Sequence, residues 1–224
     1  MSADSGKATY KKYRPFYRRH LPHYQPTDAV VFLTFRLAGS LPHVLVMQMR
    51  EEKEFWEGIA NNPNSTSEQV RQAQIKLQSL FAKWEETLDA AEYGPKWLSD
   101  QRIAHLVSDS LLYRHGKVYT LYAFCIMPNH VHVLFRPLKD DSGVPYPLSS
   151  ILQSLKGYTA RKANIILGRG GSFWQDESFD RVIRDDEDFT RTLKYVLNNP
   201  VKAGLVSRWE DWPWSYLRRD LWND

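Results

Sequence analysis

Two histidines one residue apart, His130 and His132, stand in the run MPNHVHVLF. Side chains alternate along a β-strand, so on a strand both imidazoles leave one face and Val131, Val133 and Phe135 the other. Two neutral imidazoles one pleat apart suit a single divalent ion. The spacing fits equally well two hydrogen-bonded histidines on a hairpin, and the run itself offers no third ligand. Tyr195 is the next candidate. A helix over 187–198 puts Phe189, Leu193 and Val196 on its apolar stripe and Tyr195 off that stripe. Asn199 then falls one turn beyond Tyr195 on the same face, although the following Pro200 disfavours helical geometry there. A phenol beside an amide suits nucleophilic chemistry, and by itself also suits surface decoration. Tyr158 is the rival tyrosine. It borders the stripe Ile151, Leu152, Leu155, Thr159 and Ile166 of a helix over 149–167, and reads mainly as a packing residue.

Basic residues supply a second kind of chemistry. Lys7, Lys11, Lys12, Arg14, Arg18 and Arg19 alternate with Tyr10, Tyr13, Phe16 and Tyr17. Cations that neutralise phosphate beside rings that stack on unpaired bases suit single-stranded nucleic acid, and the same run suits a solvated tail. Lys156, Arg161 and Lys162 are further candidates for phosphate contacts, or form a solvated helix face. The formal net charge of +4 is only mildly basic. With Cys125 the single cysteine, no disulfide forms within the chain and a thiolate cluster is excluded. No apolar run reaches the roughly 20 residues needed to span a bilayer, and Met1–Thr9 lacks the apolar centre of a secretion signal, so a cytoplasmic protein is expected.

These residues need a scaffold. VVFLTFRL at 30–37 reads as a strand closed by Gly39 and Pro42. Helices follow at 43–60 and, after the polar loop 61–67, to about Glu92. Ser65 with Glu68, or Thr66 with Gln69, forms a capping box for the second. A helix over 100–113 precedes strands at 118–126 and 130–136, joined as an antiparallel hairpin by Met127-Pro128-Asn129. Beyond the helix at 149–167, residues 173–183 are extended, and Pro200 halts the final helix. The 224 residues read as one α+β domain around an antiparallel sheet. It carries a basic N-terminal segment (1–28), a helical insertion (43–116) and an aromatic tail (207–224).

Several ordered segments together resemble one family. MPNHVHVLF (127–135) resembles the HUH motif of the single-tyrosine, IS200-like transposases. HLPHYQP (20–26) and FLTFRLAGSLP (32–42) resemble the start of their REP-associated branch. FWQDESFDRVIRDDEDF (173–189), YVLNNPVKAGLV (195–206) and DWPWSY (211–216) resemble its C-terminal signature. The likeness is weakest over 43–116. It implies a ferredoxin-like antiparallel sheet with His130 and His132 as metal ligands on a central strand. It also implies Tyr195 as nucleophile, Asn199 assisting at the metal, and Mg²⁺ or Mn²⁺ as the ion. The implied reaction cleaves and rejoins single-stranded DNA beside palindromic hairpins through a 5′-phosphotyrosine, by a monomer or homodimer. The same residues admit a metal-dependent phosphodiesterase that uses water, or a non-catalytic DNA-binding derivative of a transposase.

Overall fold

The computed structural model describes residues 27–222 and, before them, the backbone of two paired strands, β1 (Phe16–Arg18) and β2 (Pro22–Tyr24). The side chains of Lys11, Lys12, Arg14, Arg18 and Arg19 therefore lie outside the described residues. The next elements are β3 (Val31–Leu37), α1 (His43–Ala60), α2 (Ser67–Asp89), α3 (Gln101–Arg114), β4 (Tyr119–Ile126) and β5 (His130–Pro137). Then come α4 (Leu148–Ile166), β6 (Trp174–Val182), α5 (Asp186–Lys202) and β7 (Ser215–Leu217).

Strands β6-β3-β5-β4-β7 form one sheet in that spatial order, with every pairing antiparallel. The succession β3-α3-β4-β5-α4-β6 is the βαββαβ pattern of ferredoxin-like folds. β5 is the middle strand of the five, as the sequence implied for the histidines. All seven residues of β3 are buried. Both faces of the sheet are covered, which is why VFLTFRL reads as a continuous apolar run rather than an alternation. On one face Val31, Leu33, Phe35, Val131, Val133 and Phe135 join Ile103, Val107, Ile151 and Leu155 from α3 and α4. On the other, Phe32, Cys125 and Leu134 pack against Val196 and Leu197 of α5, with Phe81 of α2 at the margin.

The helical stretch 43–116 divides in two. α3 is the first crossover helix of the βαββαβ core, whereas α1 and α2 pack on each other as a hairpin set before it. Of the two capping boxes the sequence allows, the Thr66 one forms: Thr66 N donates to Gln69 Oε1 at 2.8 Å and Gln69 N to Thr66 Oγ1 at 3.2 Å. α2 ends at Asp89, and its exit is pinned to the turn after β3. Gly94 has φ +70°, and a Cβ there would stand 2.1 Å from the Gly39 carbonyl oxygen, so only glycine fits this approach.

One expectation fails in α5. Pro200 does not halt the helix, which runs on to Lys202. Proline removes one amide donor, but Ala203 N still donates to the Asn199 carbonyl at 3.0 Å and Leu205 N to the Pro200 carbonyl at 2.9 Å, closing the last turn. Asn199 therefore keeps helical register with Tyr195. The aromatic tail packs back on the sheet: Tyr216 stacks on Phe124 with ring centres 5.4 Å apart, and Trp212 Nε1 donates to the Ile126 carbonyl at 3.0 Å.

Candidate active site

His130 and His132 leave the same face of β5 and are completely buried, with their Nε2 atoms 2.8 Å apart. Their partners decide which nitrogens carry protons. Asn129 Nδ2 donates to the Leu88 carbonyl at 3.1 Å, which turns its Oδ1 toward His130 Nδ1 at 2.6 Å. A carbonyl oxygen only accepts, so His130 donates from Nδ1 and its Nε2 lone pair faces inward. Thr34 Oγ1 donates to Glu85 Oε1 at 2.9 Å and lies 2.8 Å from His132 Nδ1. With the hydroxyl proton committed to Glu85, His132 donates from Nδ1 and its Nε2 is also bare. Two lone pairs at this separation repel unless a cation or a proton lies between them. Burial, then the charge of His130, push His132 well below the usual imidazole range, so protonation of His132 is disfavoured.

The third donor comes from a place the sequence did not indicate. Asp89, in the last turn of α2, puts Oδ1 3.4 Å from His130 Nε2 while its Oδ2 accepts from Lys202 Nζ at 2.8 Å. One donor atom from each of Asp89, His130 and His132 lies within 4.8 Å of the others, the spread of a set sharing one ion. Asp89 Oδ1 and both side-chain polar atoms of Asn199, itself 1% exposed, are buried with no hydrogen-bond partner among the described residues. Such orphans are costly in an apolar setting and normal around an ion's place. The residues present thus fit a divalent cation. Burial alone would raise the Asp89 carboxyl, but in the metal-free site a proton on His130 and the Lys202 ammonium outweigh it and hold it below the usual range. One turn earlier, Glu85 is pushed well above that range by burial and then by Asp89. If Glu85 keeps a proton, the chain reverses: Glu85 donates to Thr34, Thr34 to His132 Nδ1, and His132 Nε2 to His130. The Glu85–Thr34–His132 line therefore has two proton settings, and only one frees both Nε2 atoms for a metal.

Tyr195 is not an off-core residue, as its distance from the predicted stripe suggested. α5 is buried over a wider arc that includes Asp188, Thr192, Val196, Asn199 and Pro200. Within it the Tyr195 ring meets His132 edge-on at 5.4 Å and Phe32 at 5.9 Å. Phe32 in turn stacks on His132 at 5.7 Å. The Tyr195 hydroxyl is buried and has no hydrogen-bond partner among the described residues. A cleft of about 870 Å³ between the α1–α2 hairpin, β6 and α5 opens onto Tyr195, Phe32, Glu85 and Lys202. One chain brings the tyrosine and both histidines together.

Tyr158 is placed elsewhere. It is 41% exposed rather than packed, because the buried arc of α4 passes through Ile151, Leu155, Thr159 and Ala163. That arc covers the sheet face opposite the histidines. Arg161 and Lys162 are exposed on the same helix, and Lys156 Nζ donates to the Asp176 carbonyl at 2.9 Å. None of the three lines the cleft.

Residues 98–199 match the family described as "Transposase IS200 like". The matched stretch carries His130, His132, Tyr195 and Asn199, while Glu85 and Asp89 precede it. Two curated relatives are similar over part of the chain. A Haemophilus influenzae protein assigned to the REP-associated tyrosine transposases is 35% identical over 104 residues, 44% of this chain and 59% of its own. The Escherichia coli K12 REP-associated tyrosine transposase is 26% identical over 109 residues, 48% of this chain and 60% of its own. The matches thus span about three fifths of each curated relative. They bear out the resemblance drawn from the motifs. A solved structure of a REP-associated tyrosine transposase bound to a REP hairpin is similar with a TM-score of 0.46 and 19% identity, over 89% of this chain and 80% of that one. Among the described residues, no helix is long and apolar enough to cross a membrane.

Proposed function

We propose that this chain cleaves and rejoins single-stranded DNA beside palindromic hairpins, with Tyr195 as the nucleophile. The observation that supports it most is the partnerless Tyr195 hydroxyl, buried on a ring set edge-on against His132. The phenol oxygen attacks a phosphodiester and the bond to the 3′ oxygen breaks. The phenol gives up its proton, the departing oxygen takes one up, and the DNA 5′ phosphate stays joined to tyrosine. A 3′ hydroxyl that returns reverses the step and joins strands, so the bond energy is kept and no nucleotide cofactor is required. His130, His132 and Asp89, with Asn199 completing the shell, would hold a divalent cation, Mg²⁺ or Mn²⁺, which would polarise the phosphate and stabilise charge on the leaving oxygen.

Lys202 orients Asp89 by binding its other oxygen. Thr34 and Asn129 fix the two imidazoles so that both Nε2 atoms face inward. Phe32 holds His132 and Tyr195 at their mutual angle. We assign Lys11, Lys12, Arg14, Arg18, Arg19, Lys156, Arg161 and Lys162 to DNA phosphates outside this centre, and leave the unit as a monomer or a homodimer.

The test uses pooled single-stranded oligonucleotides bearing palindromic hairpins, incubated with the protein and Mn²⁺. The wild type should form a covalent protein–DNA adduct, and Tyr195→Phe should lose both adduct and nicking. Full nicking by Tyr195→Phe without an adduct would convict a water-using phosphodiesterase. Unchanged DNA handling by His130→Ala and His132→Ala would convict a non-catalytic binding protein.

A further inference from the structure

Arg36 is 4% exposed, and its guanidinium has one hydrogen bond among the described residues, from Nη1 to Ser40 Oγ at 3.2 Å. No carboxylate among the described residues lies within ion-pair distance, although Glu85 and Glu177 line the same cleft. Burial lowers its pKa to about 10, and no nearby charge contributes, so the side chain stays cationic at neutral pH. A desolvated and unpaired guanidinium is among the costliest groups a fold can hold.

The backbone also departs from regularity at this residue. β6 follows β3 from Val31 to Phe35, pairing Phe35 with Ser178, and resumes only at Leu37 with Trp174. The irregularity falls on Arg36, which pairs on its other side with His130. Strand irregularities of this kind re-aim a side chain and recur beside active sites. Arg36 shares a strand face with Thr34 and Phe32, which touch His132, and it lines the cleft that opens onto Tyr195.

We infer that Arg36 is a phosphate-holding residue, its buried guanidinium waiting for a phosphodiester oxygen of the strand that enters the cleft beside His130. This rests on the proposed action on single-stranded DNA and deepens it by naming the group that seats the backbone. A planar, always-charged fork with free N–H groups matches two phosphate oxygens at once.

The experiment measures binding of a fluorescein-labelled single-stranded oligonucleotide pool in EDTA, with Tyr195→Phe as the parent so that no chemistry intervenes. Arg36→Met should fold with unchanged or higher Tm, because it removes an unpaired buried charge. It should weaken binding about tenfold or more. The slope of log Kd against log salt should fall by about 0.7, one phosphate contact to a single strand. A folded Arg36→Met protein with the parent's affinity and slope overturns the inference. If Arg36→Met does not fold, Arg36→Lys decides: weaker binding with an unchanged slope supports the clamp, and parental affinity overturns it. Failure of the nuclease reading is seen separately, as absence of adduct from wild-type protein in Mn²⁺, whatever Arg36 does.

Discussion

Asp89 stands 3.4 Å from His130 across the boundary between the α1–α2 hairpin and the central strand. The contact joins a segment with little family likeness to the one with the most.

If Asp89 is a ligand, Asp89→Asn should weaken Mn²⁺ binding by about ten- to a hundredfold, the range seen when a metal site loses a supporting group. Titration calorimetry on wild type and variant reads this directly. Equal affinities would leave the two histidines to hold the ion without α2.

Tyr195→Phe should abolish the adduct while leaving the metal-free fold as stable, or more stable by about 1 kcal/mol, because it removes a buried hydroxyl that has no partner. Urea denaturation measures this. A large loss of stability would mean that the hydroxyl is structurally bonded.

Glu85 and His132 set opposing pH dependences in the metal-free protein. The Glu85 carboxyl lies well above its ordinary value when folded, so the folded state holds a proton that the unfolded chain releases near about pH 4.3. Its contribution is full below that pH and is lost as pH rises toward the folded value. His132 lies below its ordinary value, so its contribution grows as pH rises through about 6.5. Glu85→Gln removes only the first. The stability of the variant relative to wild type should therefore climb as pH rises above about 4.3, as followed by denaturation in EDTA. A flat difference would place the buried charge on another group.

Gly94→Ala should cost about 3 kcal/mol, since it adds a Cβ against the Gly39 carbonyl in a left-handed backbone conformation. Because this contact pins the exit of α2, Mn²⁺ affinity should fall with it even under conditions where circular dichroism shows the variant folded. Normal affinity in a folded variant would show that Asp89 is positioned by something else.

Much of this was written locally in the chain. β3, β4 and β5 are legible because β-branched and aromatic residues crowd short runs between breakers, and His130-Val131-His132 follows from strand alternation alone. The stripe alone places Tyr195 off the core, whereas the structure packs it against His132 and Phe32, since a helix buried on two sides has no narrow stripe. Tyr158 was misread in the opposite sense: residues bordering a stripe can face water when the buried arc is narrow. Pro200 misled because the last helical turn tolerates a missing amide. Glu85 and Asp89 were invisible for another reason. They sit among Glu86 and Glu92 in an acidic stretch, and only tertiary packing singles out the pair one turn apart that meets β5. Their shared helical face beside Phe81 and Leu88 was the available signal.

The tight seat of Gly94 on Gly39 makes α2 a lever fixed at one end. Its carboxylate works close to the fulcrum, while the far tip near Thr66 lies about 35 Å away at 1.5 Å per helical residue. Lengthening or trimming the hairpin at that tip leaves the charge over the histidines undisturbed. A single residue added inside α2 between Glu85 and Asp89 would swing one carboxylate about 100° around the axis relative to the other and out of reach. The hairpin is thus free to vary in extent and bound in phase.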